Sequence, residues 1–160
     1  MEHPLPLTGH PRYGASVAPR LSPRLASLVD ALPLRPDLRV LEVGCGPGAA
    51  ARAVADRLTT GQVLAIDRSA SAVAQAVRTA GTSSRLSFRQ VAAEALALVP
   101  DEPPYDLVLA FRVGALDGRH PALGARVLER PAAVTTPEAR LYVDGGDPLR
   151  EVQLHGPAAS

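Results

Sequence analysis

Residues 40–48 read VLEVGCGPG, and this stretch decides the fold of the 160-residue chain. The apolar run predicts a buried strand that ends at Gly44, and apolar residues recur at helical spacing over residues 48–58, which predicts a helix directly afterwards. Gly44 permits a tight turn, Gly46 lets the backbone approach a ligand, and Gly48 allows close packing where the helix begins. A glycine-rich loop between a strand and the free N–H groups of a helix predicts a nucleotide-type binding site.

A second apolar strand is predicted over residues 62–66, and Asp67 ends it. The carboxyl ends of neighbouring parallel strands lie at one edge of the sheet, where open sheets bind their ligands. A carboxylate at the tip of the adjacent strand is placed to accept hydrogen bonds from two ribose hydroxyls. We therefore expect the chain to hold an adenosine-containing ligand.

The rest of the chain alternates between strand and helix patterns. Further strands are predicted at residues 86–90, 105–111 and 140–144, and further helices at residues 23–32, 69–80 and 121–128. Ser22 and Ser69 are the expected N-caps of two of these helices, and Pro131 is expected to bend or end the last one. This alternation predicts an α/β fold with a mostly parallel sheet and helices on both faces.

The length predicts one domain, with an irregular arm over residues 1–20 and the folded domain over residues 21–160. The last 16 residues carry too few apolar groups for another strand–helix unit. We expect a shortened C-terminus with at most a short sixth strand around Val152 and Leu154.

The composition excludes several classes of partner. All 17 basic residues are arginines, and 16 acidic residues balance them to a net charge of +1, so nothing favours nucleic acid or an anionic membrane. Aromatic residues make up only 3% of the chain, which disfavours a base-stacking surface.

The sequence predicts a cytoplasmic location. It has a single cysteine, Cys45, which suits a reducing compartment, and it shows no apolar signal segment or membrane span near the N-terminus.

The glycine pattern alone leaves two classes of ligand open, a dinucleotide and an adenosine that carries a methionine moiety. Gly44, Gly46 and Ala49 also match the dinucleotide fingerprint, so an NAD(P)-dependent oxidoreductase is an alternative. Pro47, however, removes a backbone N–H donor from the loop that would cradle a pyrophosphate. The carboxylate of Glu42 disfavours that dianion and suits the amino group of a methionine moiety.

Residues 40–48 resemble motif I of the class I S-adenosylmethionine-dependent methyltransferases, and Asp67 matches the acidic residue after their second strand. Residues 91–96 resemble the segment of that family that contacts adenine, and residues 105–108 resemble its fourth strand. The similarity extends from Leu21 to Asp144. It implies a Rossmann-like methyltransferase fold with strand order 3-2-1-4-5, S-adenosylmethionine as cofactor, and methyl transfer to a small-molecule acceptor.

The resemblance also implies roles for particular residues. Asp67 would bind the ribose, and Ala110 and Phe111 would border the transferable methyl. The adenine would be bordered by Arg68, Ala93 and Glu94. The methionine end of the cofactor would be bordered by Glu42, Gly44, Cys45 and Gly46. The chain departs from the family in having Ala92 where many relatives have Asp. It also almost lacks the sixth and seventh strands, so a non-catalytic cofactor-binding or regulatory module is the main alternative.

No residue stands out as a catalytic base. His120 and Asp117 follow the fourth strand and Asp144 ends the fifth, so these three are the candidates on the active-site edge. The four histidines show no metal-ligand spacing, and no metal is expected. A sheet edge exposed by the missing strands predicts a homodimer or a partner protein there.

Overall fold

The computed structural model describes residues 20–156, so most of the predicted N-terminal arm, residues 1–19, lies outside the described part of the chain. The helices are α1 (Pro23–Ala31), α2 (Ala49–Ala55), α3 (Ala70–Ala80) and α4 (Pro121–Ala133). The strands are β1 (Arg39–Val43), β2 (Gln62–Asp67), β3 (Leu86–Gln90), β4 (Tyr105–Ala110), β5 (Thr135–Asp144) and β6 (Leu149–Gln153). Two short 3₁₀ helices lie at Ala93–Ala95 and Gly114–Leu116.

The six strands form one sheet in the order β3-β2-β1-β4-β5-β6. The first five are parallel, and β6 pairs antiparallel with β5. This arrangement confirms the predicted fold class and strand order, and β6 is the short sixth strand. Because the order reverses between β1 and β4, the carboxyl ends of these strands border a crevice.

The core has two layers because successive strand residues point to opposite faces of the sheet. Val40 packs with α1 and α2 on one face, whereas Leu41 packs with Val127 of α4 on the other. β4, whose sequence is a nearly unbroken apolar run, is almost wholly buried, and β3, in which polar and apolar residues alternate, lies at an edge of the sheet.

The predicted N-caps are confirmed. The Ser22 side chain accepts a hydrogen bond from the backbone N–H of Leu25, and the Ser69 side chain accepts one from that of Ala72. Each cap satisfies a backbone donor that the helix leaves free. Ser69 caps α3 two residues after Asp67, so the helix begins close to the end of β2.

Three element boundaries differ from those predicted by three residues or more. Helix α2 ends at Ala55, short of residue 58, and α4 runs on to Ala133 past Pro131, which lies buried in its last turn. β5 begins at Thr135 rather than at residue 140 and contains Pro137. The pairing of β5 with β4 shifts register between Tyr105 and Leu107. Proline has no backbone N–H to donate to a regular ladder, so it is tolerated at such an irregularity.

Within residues 20–156, no helix is both long enough and apolar enough to cross a bilayer.

Candidate functional site

The β1–α2 loop turns on three glycines with positive φ. Their values are 71° at Gly44, 52° at Gly46 and 82° at Gly48, a region that residues with a Cβ rarely adopt. A Cβ at Gly48 would lie 3.0 Å from the Phe88 ring, which confirms the predicted close packing at the start of α2. A Cβ at Gly46 would meet nothing within 4 Å, so the backbone there faces open space.

Asp67 ties this loop to the neighbouring strand. Its Oδ2 accepts a hydrogen bond from the Gly46 N–H, and its Oδ1 accepts one from the Ser69 N–H, both at 2.9 Å. The carboxylate is half-buried and has further lone pairs that can accept hydrogen bonds. Asp67 therefore shapes the glycine loop and presents acceptors at the strand tips.

A cleft of about 380 Å³ opens at these strand tips. Five of the predicted cofactor residues line it: Gly44, Asp67, Arg68, Ala93 and Glu94. Its remaining walls come from the ends of β1 and β2, from residues 91–92, from residues 112–115 and from α4. Its volume is that of a small-molecule site, and its lining combines apolar groups with a few polar ones.

Sequence reasoning missed the apolar wall opposite the glycine loop. This wall includes Val113, Leu123 and Val127. Val113 covers Gly44, where a Cβ would come within 2.9 Å of its Cγ2. The sequence predicted a helix over residues 121–128, but nothing in its pattern indicated that this helix borders the cleft.

Glu42 lies in the core rather than on the cleft surface. Its side chain is 3% exposed, and its Oε2 has no hydrogen-bond partner. Burial is the main cause that raises the pKa of the Glu42 carboxyl to about 8; the charge of Asp67 adds to this rise, and a hydrogen bond from the Ala51 backbone and the charge of Arg52 oppose it. A buried carboxyl with an unpartnered oxygen marks a position where a hydrogen-bond donor is missing.

Cys45 and Phe111 are also buried, and neither lines the cleft. Burial, together with the charges of Glu42 and Asp67, raises the pKa of the Cys45 thiol to about 12. The thiol is therefore protonated at neutral pH and is no nucleophile. Phe111 packs with Cys45 and Leu109 in the core.

A second cavity of about 320 Å³, called here the acceptor cavity, adjoins the cleft at the carboxyl ends of β4 and β5. The cleft and the acceptor cavity share Arg112, Val113 and Gly114 as lining residues. Ala110 lines the acceptor cavity, in a position to border a group that reaches across from the cleft. The two cavities thus suit a pair of reactants that meet at the tip of β4.

The two predicted acidic candidates line the acceptor cavity, but both already have partners. Asp117 accepts hydrogen bonds from the Arg119 side chain at 2.7 Å and backbone at 2.9 Å, which lower the pKa of its carboxyl. Asp144 accepts hydrogen bonds from the Arg112 backbone at 3.0 Å and the Arg24 guanidinium at 3.1 Å. Carboxylates that already accept hydrogen bonds from arginines are weak proton acceptors.

His120 lines neither cavity. It is exposed at the start of α4 and borders a wide, shallow depression with Arg119 and Leu123. Among residues 20–156, no three side chains of the metal-ligating types His, Cys, Asp and Glu come together.

Comparisons with known proteins agree with this geometry. Residues 40–137, more than half of the chain, match the family described as "Methyltransferase domain". A protein-L-isoaspartate O-methyltransferase of Methylorubrum extorquens is 35% identical over 124 residues, which cover 78% of this chain and 49% of that protein. A trans-aconitate 2-methyltransferase of Streptomyces avermitilis is 36% identical over 89 residues, which cover 54% of this chain and 32% of that protein.

Solved structures give the same fold. PKMT2 from Rickettsia typhi, determined in complex with S-adenosylhomocysteine, aligns with a TM-score of 0.58 at 18% identity. The alignment covers 76% of this chain and 24% of that chain. The chain spans between a third and a half of the length of the curated relatives it matches.

The glycine loop, the acidic tip of β2 and the strand order β3-β2-β1-β4 occur together over the span that the family match covers. The chain belongs to the class I S-adenosylmethionine-dependent methyltransferase family.

Proposed function

We propose that the chain binds S-adenosylmethionine in the cleft and catalyses methyl transfer to a small-molecule acceptor held in the acceptor cavity. The observation that carries this proposal is the cleft at the tips of β1 and β2, where Asp67 is hydrogen-bonded to the open glycine loop. The curated relatives bear methyltransferase names, and a solved relative holds S-adenosylhomocysteine.

The residues present fit this cofactor. Asp67 has lone pairs left for ribose hydroxyls, and the loop at Gly46 is open for close approach of a ligand. Ala93 and Glu94 would flank the adenine, with Arg68 beside them and the apolar wall of Leu123 opposite. Bound there, the cofactor supplies an electrophilic methyl group on a sulfonium with a good leaving group.

Glu42 would act from beneath the loop. Its Oε2 lacks a donor in the described part of the chain, and the amino group of the methionine moiety would supply one, directly or across one water. The backbone of Gly44 and Cys45 would contact the same end of the cofactor. Ala110, the last residue of β4, and Phe111, the residue after it, would border the methyl group.

The protein's contribution to the transfer would be alignment and exclusion of water. Holding two reactants in line supplies about 7–11 kcal/mol of a barrier. Asp117 and Asp144 are held in ion pairs, and His120 lies outside both cavities, so a proton acceptor is not evident among these three candidates. The arrangement therefore suits an acceptor whose nucleophilic atom is ready to react without deprotonation by the protein.

Ligand-induced stabilisation tests the cofactor assignment. S-adenosylhomocysteine at about 100 times its Kd should raise the free energy of unfolding by about 2.7 kcal/mol, because it binds only the folded state. NAD and NADP at the same concentration should leave it unchanged. Urea unfolding monitored by circular dichroism measures the difference, and stabilisation by NAD instead would overturn the assignment.

Catalysis needs a separate measurement, because the chain covers a third to a half of its curated relatives' length. A non-catalytic cofactor-binding module is the second candidate, because none of the three predicted residues offers an evident proton acceptor. Release of S-adenosylhomocysteine in the presence of small acids, amines and phenols would support the enzyme. Cofactor binding without release for any acceptor class would support the module.

The site of action and the assembly are further parts of this proposal. A cytoplasmic location is supported by the single cysteine, which suits a reducing compartment. A homodimer or a partner protein at the edge of β6 is supported by the position of that strand at the end of the sheet.

A further inference from the structure

We propose that the acceptor cavity is a carboxylate-binding site, in which the guanidinium groups of Arg112 and Arg150 hold a small dicarboxylate or polycarboxylate acceptor. This inference rests on the proposed function, because it names the substrate class of the same site. It comes from the charges, hydrogen bonds and backbone geometry around the cavity.

The charges that line the acceptor cavity do not balance. Its acidic residues are already paired: Asp117 with Arg119 at 2.7 Å, and Asp144 at 3.1 Å with Arg24, a residue of α1 that is not part of the cavity lining. Within residues 20–156, no carboxylate lies within ion-pair distance of Arg112 or of Arg150. Two guanidinium charges therefore remain available to an anionic ligand.

Arg112 is held where the two cavities meet. Its φ of 61° lies in the left-handed region, which few non-glycine residues adopt. Its backbone N–H donates a hydrogen bond to Oδ1 of Asp144, at 3.0 Å. Strained backbone concentrates at functional sites, and this residue borders both the cleft and the acceptor cavity.

Arg150 is brought to the opposite wall by β6. That strand runs antiparallel to β5 and pairs Arg150 with Val143, another residue of the cavity lining. One guanidinium nitrogen donates to the backbone oxygen of Leu116 at 3.0 Å, which fixes the side chain against the cavity. A guanidinium has five N–H donors, so the remaining ones are free for a carboxylate.

The lining favours carboxylates over phosphates. Guanidinium groups bind both anions in a bidentate fork. Two separate arginines, Arg112 and Arg150, line the cavity, so a dicarboxylate can present one carboxylate to each, whereas inorganic phosphate concentrates its charge in one group. The volume of about 320 Å³ suits a small molecule with two or three such groups.

Calorimetric titration with succinate tests the inference on the full chain. Succinate should bind the wild type, whereas succinamide, its neutral counterpart, should not. Arg112→Gln and Arg150→Gln should each weaken succinate binding about tenfold or more, because each removes charge-assisted hydrogen bonds. Arg126→Gln removes an exposed arginine of α4 outside the lining and should leave the affinity unchanged.

The inference would be overturned if both variants bound succinate as the wild type does, or if inorganic phosphate bound as tightly as succinate. Titration of the same samples with S-adenosylhomocysteine distinguishes a failure of the carboxylate site from a failure of the proposed function. Succinate binding that ignores both arginines, beside intact S-adenosylhomocysteine binding, rejects the carboxylate site alone. If the wild type does not bind S-adenosylhomocysteine, the proposed function itself is rejected.

Discussion

Replacing Glu42 by glutamine is expected to make the folded protein increasingly more stable than the wild type as the pH rises. Burial raises the pKa of this carboxyl from 4.5 to about 8 in the folded state. Below the lower value both the folded and the unfolded chain hold the proton, so Glu42 adds no pH dependence there. Between the two values only the unfolded chain ionises, so the folded state of the wild type loses stability as the pH rises.

The size of this loss follows from the pKa difference. From about pH 5 to about pH 9 the wild type should lose up to about 4 kcal/mol relative to Glu42→Gln, since each pKa unit corresponds to about 1.4 kcal/mol. Above pH 8 the effect levels off, because both states are then ionised. A glutamine amide brings its own burial cost, but this cost does not change with pH and cancels from the slope.

Urea unfolding of the two proteins at several pH values measures the difference. Glu138→Gln is the matched control, because it makes the same chemical change at an exposed position of β5 and should give a flat difference. A difference for Glu42→Gln that stays constant from pH 5 to pH 9 would contradict the protonated, buried carboxyl. If Glu42→Gln also weakens S-adenosylhomocysteine binding, then Glu42 contributes to cofactor binding although it lowers the stability of the free protein.

Short-range patterns in the sequence were enough to predict the part of the site around the glycine loop. Gly44 and Gly48 need backbone conformations that favour glycine, and Asp67 follows an apolar run that ends at a helix cap. These features lie within one strand–loop–helix unit, so periodicity and turn chemistry indicate them directly. Alternating strands and helices then restrict the topology to a parallel sheet.

The features that sequence reasoning missed depend on residues far apart in the chain. Arg150 reaches the acceptor cavity because β6 pairs with β5, and Leu123 reaches the cleft because α4 packs across the sheet. The backbone N–H of Arg112, a residue in the left-handed conformation, donates to a carboxylate 32 residues away. The depth at which Glu42 is buried likewise depends on α2 packing over β1, which no local pattern states.

The second large effect concerns Asp67, where alanine is expected to remove most of the stabilisation that S-adenosylhomocysteine confers. The substitution removes the acceptors proposed for the ribose and the hydrogen bond that shapes the loop at Gly46. A hundredfold loss of affinity, at a concentration about 100 times the wild-type Kd, would reduce the added stability from about 2.7 to about 0.4 kcal/mol. The free protein should lose about 1–3 kcal/mol, because two backbone donors lose their partner.

Asp106→Ala separates these two effects, because Asp106 also accepts a backbone hydrogen bond at 2.9 Å, from Arg39, but lines neither cavity. This control should lower the stability of the free protein while leaving the ligand-induced gain near its wild-type size. Urea unfolding with and without S-adenosylhomocysteine gives both quantities for each variant. If Asp67→Ala keeps the full ligand-induced gain, the carboxylate only shapes the loop, and the ribose must be held by another group in the cleft. If both variants lose the gain equally, binding depends on overall stability rather than on the acidic tip of β2.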